Sequence, residues 1–246
     1  MTGYRYDRLF FDINQKAARV SSGPVIDAIR SDLQIASVLD VGCGRGMWPA
    51  EWRARGIADT VGVDGDYVDR ASLAIPSEAF VAADISSPFD LGRRFDLVEC
   101  LEVGEHIPTA RSEELVRNLV RHGDLVLFSA APPGQGGEYH VNEQPLSFWR
   151  RLFRAHDYHP FDAVRPRIAH DHAIQPWYRY NTLLYVRSSA IGALPAKLAQ
   201  TRIADGEPIP DFAPLLWRLR CGVLRFLPVE TTTRLAVLKH RLFAPT

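Results

Sequence analysis

The sequence has little cysteine, no long apolar run and no net charge, and each lack excludes something. Its three cysteines, Cys43, Cys100 and Cys221, are odd in number and far apart. They form neither a disulfide framework nor a thiolate metal pattern, so a reduced, cytoplasmic setting is expected. No stretch approaches the roughly 18 consecutive apolar residues that a membrane helix requires. The opening MTGYRYDRLFFDINQK carries acids where a secretory leader needs an apolar core. Lys and Arg number 29, as do Asp and Glu, so no overall field draws the chain to nucleic acid or anionic lipid. Any such preference must come from a local patch, and residues 1–188 hold no evident basic stripe. No internal repeat or low-complexity segment is present. What remains is an ordinary globular composition, 46% hydrophobic and 24% charged, in 246 residues. That suits one α/β domain with an appendage.

Short apolar runs alternate with helical ones. Strands are expected at 36–42 (ASVLDVG), 59–65 (DTVGVDG), 79–86 (AFVAADIS), 95–101 (FDLVECL), 124–130 (DLVLFSA) and 181–188 (NTLLYVRS). Helices are expected at 47–56, closed by Gly56, at 110–123, stopped by Gly123, and at 145–157. In the last, Phe148, Trp149, Leu152 and Phe153 recur at helical spacing. Strands alternating with helices imply a largely parallel sheet covered on both faces. Ligands of such sheets bind just beyond the carboxyl ends of the strands.

After the first strand stands DVGCGRG, with Asp40, Gly42, Gly44 and Gly46. Glycines there let the backbone turn tightly and approach a ligand closely. Asp64 ends the second strand, placed for ribose hydroxyls, and Asp84 follows the third, able to accept from an adenine amino group. These three elements resemble the first three motifs of class I S-adenosylmethionine-dependent methyltransferases. The resemblance covers about residues 30–188 and implies a Rossmann-like sheet with an antiparallel last strand. It implies that Asp40 and the glycines hold the methionine end of S-adenosylmethionine, Asp64 its ribose, and Asp84 with Ile85 its adenine. A nicotinamide-binding domain, or a glycine turn with incidental acids, is the plainer alternative.

The fourth strand runs into LEVGEH (101–106), where the resemblance puts the methyl group to be transferred. If EVGEHI makes one helical turn, Glu102, Glu105 and His106 stand at i, i+3 and i+4 on one face. Two carboxylates and an imidazole suit Mg²⁺, Mn²⁺ or Fe²⁺, and the expected ion is Mg²⁺ or Mn²⁺. His140, in GGEYHVNEQP after the fifth strand, is a candidate fourth ligand. The E-x-x-E-H pattern resembles metal-dependent methyltransferases that modify the terminal ribose of small RNAs, and O-methyltransferases of the ubiquinone pathway. Carried over, it makes Glu102, Glu105, His106 and His140 metal ligands, with Glu105, His106 and His140 also catalytic candidates. The bland alternative is a capping Glu105 and a packing His106. No D/N-P-P-Y/F tetrapeptide for amino-methylation follows the fourth strand, which favours a hydroxyl acceptor. Glu99, in mid-strand, has no role legible in the sequence.

Asn142, Glu143 and Gln144 are candidate sugar or diol contacts, and that segment resembles bacterial methyltransferases encoded with glycan-assembly enzymes. Trp177 and Tyr178 are candidates for a substrate mouth or for interfacial core, and His170 and His172, spaced H-x-H, are a weak metal signal with a solvated loop as the plainer reading. Residues 189–246 read as a helical extension of the 1–188 domain, with helical stretches at 215–227 and 232–243. Packing on the domain is its default role, with a homodimer surface or a peripheral membrane contact as alternatives. The expected activity is S-adenosylmethionine-dependent O-methylation of a small-molecule or glycan hydroxyl, not of nucleic acid. A phenolic or catechol acceptor and a catalytically inactive binding module are the other readings.

Overall fold

The computed structural model describes residues 8–243. Residues 1–7, within the opening stretch tested above as a leader, and 244–246, the end of the expected extension, lie outside the described residues. The elements run α1 (Arg8–Arg30), β1 (Ser37–Val41), α2 (Met47–Ala54), β2 (Asp59–Asp64), β3 (Phe80–Ala82) and β4 (Leu97–Leu101). Then come α3 (Ser112–His122), β5 (Leu125–Ser129), α4 (Leu146–Ala155), β6 (Tyr158–Phe161), α5 (Arg165–Ile168) and α6 (Pro176–Asn181). The chain ends with β7 (Leu183–Arg187), α7 (Ala196–Ala199), α8 (Leu215–Leu224) and α9 (Val229–Phe243). Among the described residues no helix is long and apolar enough to cross a membrane.

The seven strands form one sheet in the order β3-β2-β1-β4-β5-β7-β6. All neighbours are parallel except that β7 runs antiparallel to both β5 and β6. The expected α/β architecture is therefore present, with its antiparallel last strand. Strand order reverses between β1 and β4, which opens a crevice above their carboxyl ends. The strands are apolar on both faces because helices cover both. Val38, Leu97 and Leu127 pack with Ile26 of α1 and Trp52 of α2 on one side. Val98, Val126 and Phe128 pack with Leu115 of α3 and Trp149 and Phe153 of α4 on the other. Trp149 and Phe153 are thus core, as their spacing suggests.

β6 and α1 were not foreseen. Tyr158–Phe161 contains Pro160, which has no N–H for a ladder and argues against a strand. The sheet tolerates it at the edge, and Ile203 N donates to the Pro160 carbonyl at 2.9 Å from outside the sheet. Leu198 and Ile203 lie in the two main cores, so the α/β body continues to Ile203. The helical pair α8–α9 follows it.

The structure also explains Glu99. It is fully buried in β4, paired with Asp40 of β1, and its Oε2 accepts from Trp52 Nε1 at 2.9 Å. Burial pushes its carboxyl up to about 8. Burial, and then the charge of Glu99, push Asp40 up as well. The folded chain therefore holds a proton that the unfolded chain releases between the ordinary value of 4.5 and about 8. Stability is greatest below that window and falls as pH rises through it. Glu99→Gln keeps an acceptor for Trp52 and has no charge to bury. Thermal melts should show the wild-type midpoint falling with pH across this window, and the variant flatter and more stable at the alkaline end. An unchanged slope in Glu99→Gln would place the pH-dependent cost elsewhere.

Candidate active site above the strand ends

A cavity of about 1250 Å³ lies above the carboxyl ends of β1, β2, β4 and β5. A ligand of drug size fills roughly 300–1,000 Å³, so there is room for a cofactor and an acceptor together. The glycine loop forms its floor. Gly42 has φ +86°, and a Cβ there would meet Val103 Cγ2 at 2.4 Å. Gly46 lies outside the cavity lining. Its φ of +79° caps α2, and a Cβ would strike Ile75 at 2.9 Å, so its role is to turn the chain into the helix. Gly42, Gly44, Asp64, Asp84 and Ile85 all line the cavity. Asp40 does not: it is 3% exposed and sits under the floor beside Glu99.

Asp64 organises the loop. Its Oδ2 accepts from Gly44 N at 2.7 Å, and its Oδ1 accepts from Gly65 N at 2.7 Å and the Tyr67 hydroxyl at 2.5 Å. Burial raises its carboxyl despite those bonds. Asp84 accepts from Ser86 N at 3.0 Å and from the Ser86 and Ser87 hydroxyls at 2.7 and 3.0 Å. Burial alone would raise Asp84, but these bonds together hold it below the usual carboxylate range.

The LEVGEH stretch departs from the expected helical turn. Glu102 takes φ +57°, a left-handed conformation, and only Gly104–His106 form a short 3₁₀ turn. Such conformations cost energy in non-glycine residues and gather at functional sites. Three ligand atoms, one each from Glu105, His106 and His140, lie within 4.8 Å of one another. Glu102 is not in that group. Its Oε2 accepts from Gln135 Nε2 at 2.6 Å and its Oε1 from Asn181 Nδ2 at 3.3 Å, while its carboxyl adjoins that of Glu105. Burial, reinforced by the charge of Glu102, pushes Glu105 well above the carboxylate range. Burial and the nearby His140 push His106 down to about 3, so its imidazole is neutral at ordinary pH.

Glu143 supports this group from behind. Its Oε1 meets His140 Nδ1 at 2.9 Å, and its two oxygens accept from Gly136 N and Gly134 N at 2.6 Å each. Asn142 is 2% exposed and ties Gly104 O, Ser112 and Thr109 together. The expected sugar contacts at Asn142 and Glu143 are thus engaged in holding the loop, and neither these residues nor Gln144 line the cavity. Trp177 and Tyr178 do line it, although Tyr178 is also core. His170 and His172 are exposed and away from it. Two walls had no signal read as functional in the sequence: Phe10, Phe11 and Gln15 of α1, and Trp217, Arg220 and Leu235 of α8–α9.

A parallel sheet with a glycine loop, paired acids and a crevice at the strand switch defines a Rossmann-like ligand-binding domain. Residues 6–167 match the family model described as "Methyltransferase domain", and the chain belongs to that family. A ubiquinone biosynthesis O-methyltransferase of Acinetobacter baylyi is 30% identical over 167 residues, 59% of this chain and 65% of that one. The match therefore spans less than two thirds of that relative. The sugar N-methyltransferase KedS8 of Streptoalloteichus sp. ATCC 53650 is similar in fold, with TM-score 0.54 and 20% identity over 76% of this chain and 97% of that one. So is an O-methyltransferase family protein of Burkholderia thailandensis, with TM-score 0.50 and 15% identity over 73% and 60%.

The Glu143 contacts yield a prediction. Glu143→Ala removes one carboxylate that accepts from two loop amides and the His140 ring. Each charge-assisted bond is worth about 1.5–3 kcal/mol. Amide exchange at Gly134 and Gly136 should accelerate at least tenfold, while exchange in β1 and β4 stays as in the wild type. Equal protection in the variant would mean that other contacts hold the loop.

Proposed function

We propose that the chain is an S-adenosylmethionine-dependent O-methyltransferase acting on a hydroxyl of a sugar or glycan, assisted by a divalent ion, Mg²⁺ or Mn²⁺. The observation that carries this reading is the convergence of Glu105, His106 and His140 in the cavity that Asp64 and Asp84 also line. The residues fit both groups. Gly42 and Gly44 present a close backbone, Asp64 is an acceptor for ribose hydroxyls, and Asp84 is an acceptor for the adenine amino group. Ile85 offers an apolar face beside Asp84, and Asp40 and Gly46 support the loop from beneath. For the ion, Glu105 Oε2 is a buried oxygen without a hydrogen-bond partner, which is costly unless a cation meets it. His140 is held through Nδ1 by a carboxylate, the outer-shell arrangement that metal-bound histidines take.

When bound, the donor supplies an electrophilic methyl group, and the ion supplies Lewis-acid polarisation of the acceptor oxygen. The protein's own work is to align acceptor and donor, exclude water and manage the hydroxyl proton. His106 decides between two ways of doing the last. An imidazole pushed down to about 3 is a feeble general base, because catalytic bases work best near the operating pH. A neutral lone pair is what a metal ligand requires. This favours His106 as ligand. Glu102 then acts through Glu105, as a positioning residue. The second reading, a phenolic or catechol acceptor, draws on the named relatives and on the aromatic wall of Phe10, Phe11, Trp48 and Trp177. Adjacent hydroxyls are common to both.

Asp64→Ala should weaken S-adenosylmethionine binding at least tenfold in a titration of the folded variant. Chelation should abolish methyl transfer to a vicinal diol, and Mn²⁺ should restore it. Glu105→Ala should lose that response with donor affinity near wild type, and His106→Ala should be partly rescued by excess metal. Full activity in a metal-free sample would remove the ion from the mechanism. Labelled transfer to catechols but not to sugars would select the second reading.

A further inference from the structure

The α8–α9 pair carries an exposed apolar surface outside the core, of which only Leu235 also lines the cavity. Eleven large hydrophobic side chains are exposed among the described residues, and nine of them lie between 215 and 242. Leu216, Leu219, Val223 and Phe226 recur at helical spacing along α8 and its continuation and are 57–81% exposed. Leu235, Leu238 and Leu242 do the same on α9 at 49–68%. The inward faces are separate: Trp217 and Leu224 of α8, and Thr232 and Ala236 of α9, line the cavity. A helix that buries one side and leaves a second apolar stripe in water has a surface to cover.

Charge identifies what covers it. Between 215 and 243 stand Arg218, Arg220, Arg225, Arg234, Lys239 and Arg241 against Glu230 alone. That is a formal +5 in a chain whose net charge is zero, so the remainder carries −5. Among the described contacts none of these cations pairs with Glu230; Arg218 faces Asp211 only at 3.9 Å, Arg220 donates to the Gln135 carbonyl, and Arg220 and Lys239 also line the cavity. Leucines interleaved with arginines on two consecutive exposed helices suit the boundary of an anionic bilayer, where apolar chains enter and cations meet phosphate. A second copy of this segment would set five like charges against five, which opposes self-association. Leu235 belongs to both surfaces: it is 49% exposed and it lines the cavity.

We propose that residues 215–243 are a docking element for an anionic lipid surface, and that docking sets the cavity rim at Leu235 against that surface. The element does not depend on the methyl-transfer reading, because lipid binding is measured without donor, metal or acceptor. The full chain is sedimented with phosphatidylglycerol-containing vesicles and with phosphatidylcholine vesicles. Partition onto the anionic vesicles should exceed that onto the neutral ones by about tenfold or more and should fall with added salt. Leu216→Asp with Leu219→Asp, and separately Arg225→Glu with Arg241→Glu, should each reduce partition at least about tenfold, with melting curves like the wild type. These side chains are exposed, so the fold has no need of them. Wild-type chain that stays in the supernatant with anionic vesicles would overturn the proposal. So would equal binding by the substituted chains, or a dimer in sedimentation equilibrium that the leucine substitutions dissolve.

Discussion

Five carboxyl groups at or near the ends of β1, β2 and β4, four of them buried and Glu102 half-buried, are the constraint on which the site depends. Asp40 and Glu99 face each other across the parallel pair β1–β4, Asp64 lies one strand over, and Glu102 and Glu105 follow directly on β4. Burial raises all five, and no Lys or Arg is bonded to any of them among the described side-chain contacts. Removing that many acids from water without counter-charge is expensive. The fold meets the cost with hydrogen bonds from Trp52, Tyr67, Gln135 and Asn181, and the burial shifts each carboxyl toward its protonated form. The arrangement is suited to a cavity whose ligand is cationic, as a sulfonium donor is.

Seen this way, the glycine loop and the acids form one device. Asp64 draws Gly44 N and Gly65 N onto its two oxygens, which fixes the loop over the β1–β2 edge. Glu143 does the corresponding work opposite, gathering Gly134, Gly136 and His140. Both loops are shaped by carboxylates, buried at Asp64 and half-buried at Glu143, that accept backbone N–H groups, and both loops line the same cavity.

Much of this was legible in the sequence because it depends on local pattern. Apolar strands of five or six residues, glycines with positive φ and acids at strand ends write themselves into spacing. What was not legible depends on distant packing. β6 hides behind Pro160, whose missing N–H matters only if one does not know that the strand is an edge. The place of Glu102 outside the Glu105, His106 and His140 group follows from its left-handed backbone, which Glu102 N bonding to Ser129 O at 3.0 Å helps to hold. The role of Asn142 follows from three partners that lie some thirty or more positions away. The α1 and α8–α9 walls come from the two ends of the chain, and no local pattern states that they meet above the sheet.

The central claim is that Asp64, Glu102 and Glu105, whose carboxyls burial raises above their ordinary values, receive a cationic ligand in this cavity. Calorimetric titration of the intact chain with S-adenosylmethionine, in two buffers of different ionisation enthalpy at about pH 6.5, tests it most directly. There the donor's own α-amino group is already charged. The account predicts one site per chain and a net release of protons to the buffer on binding. Absence of binding, or binding with no proton released, would contradict it.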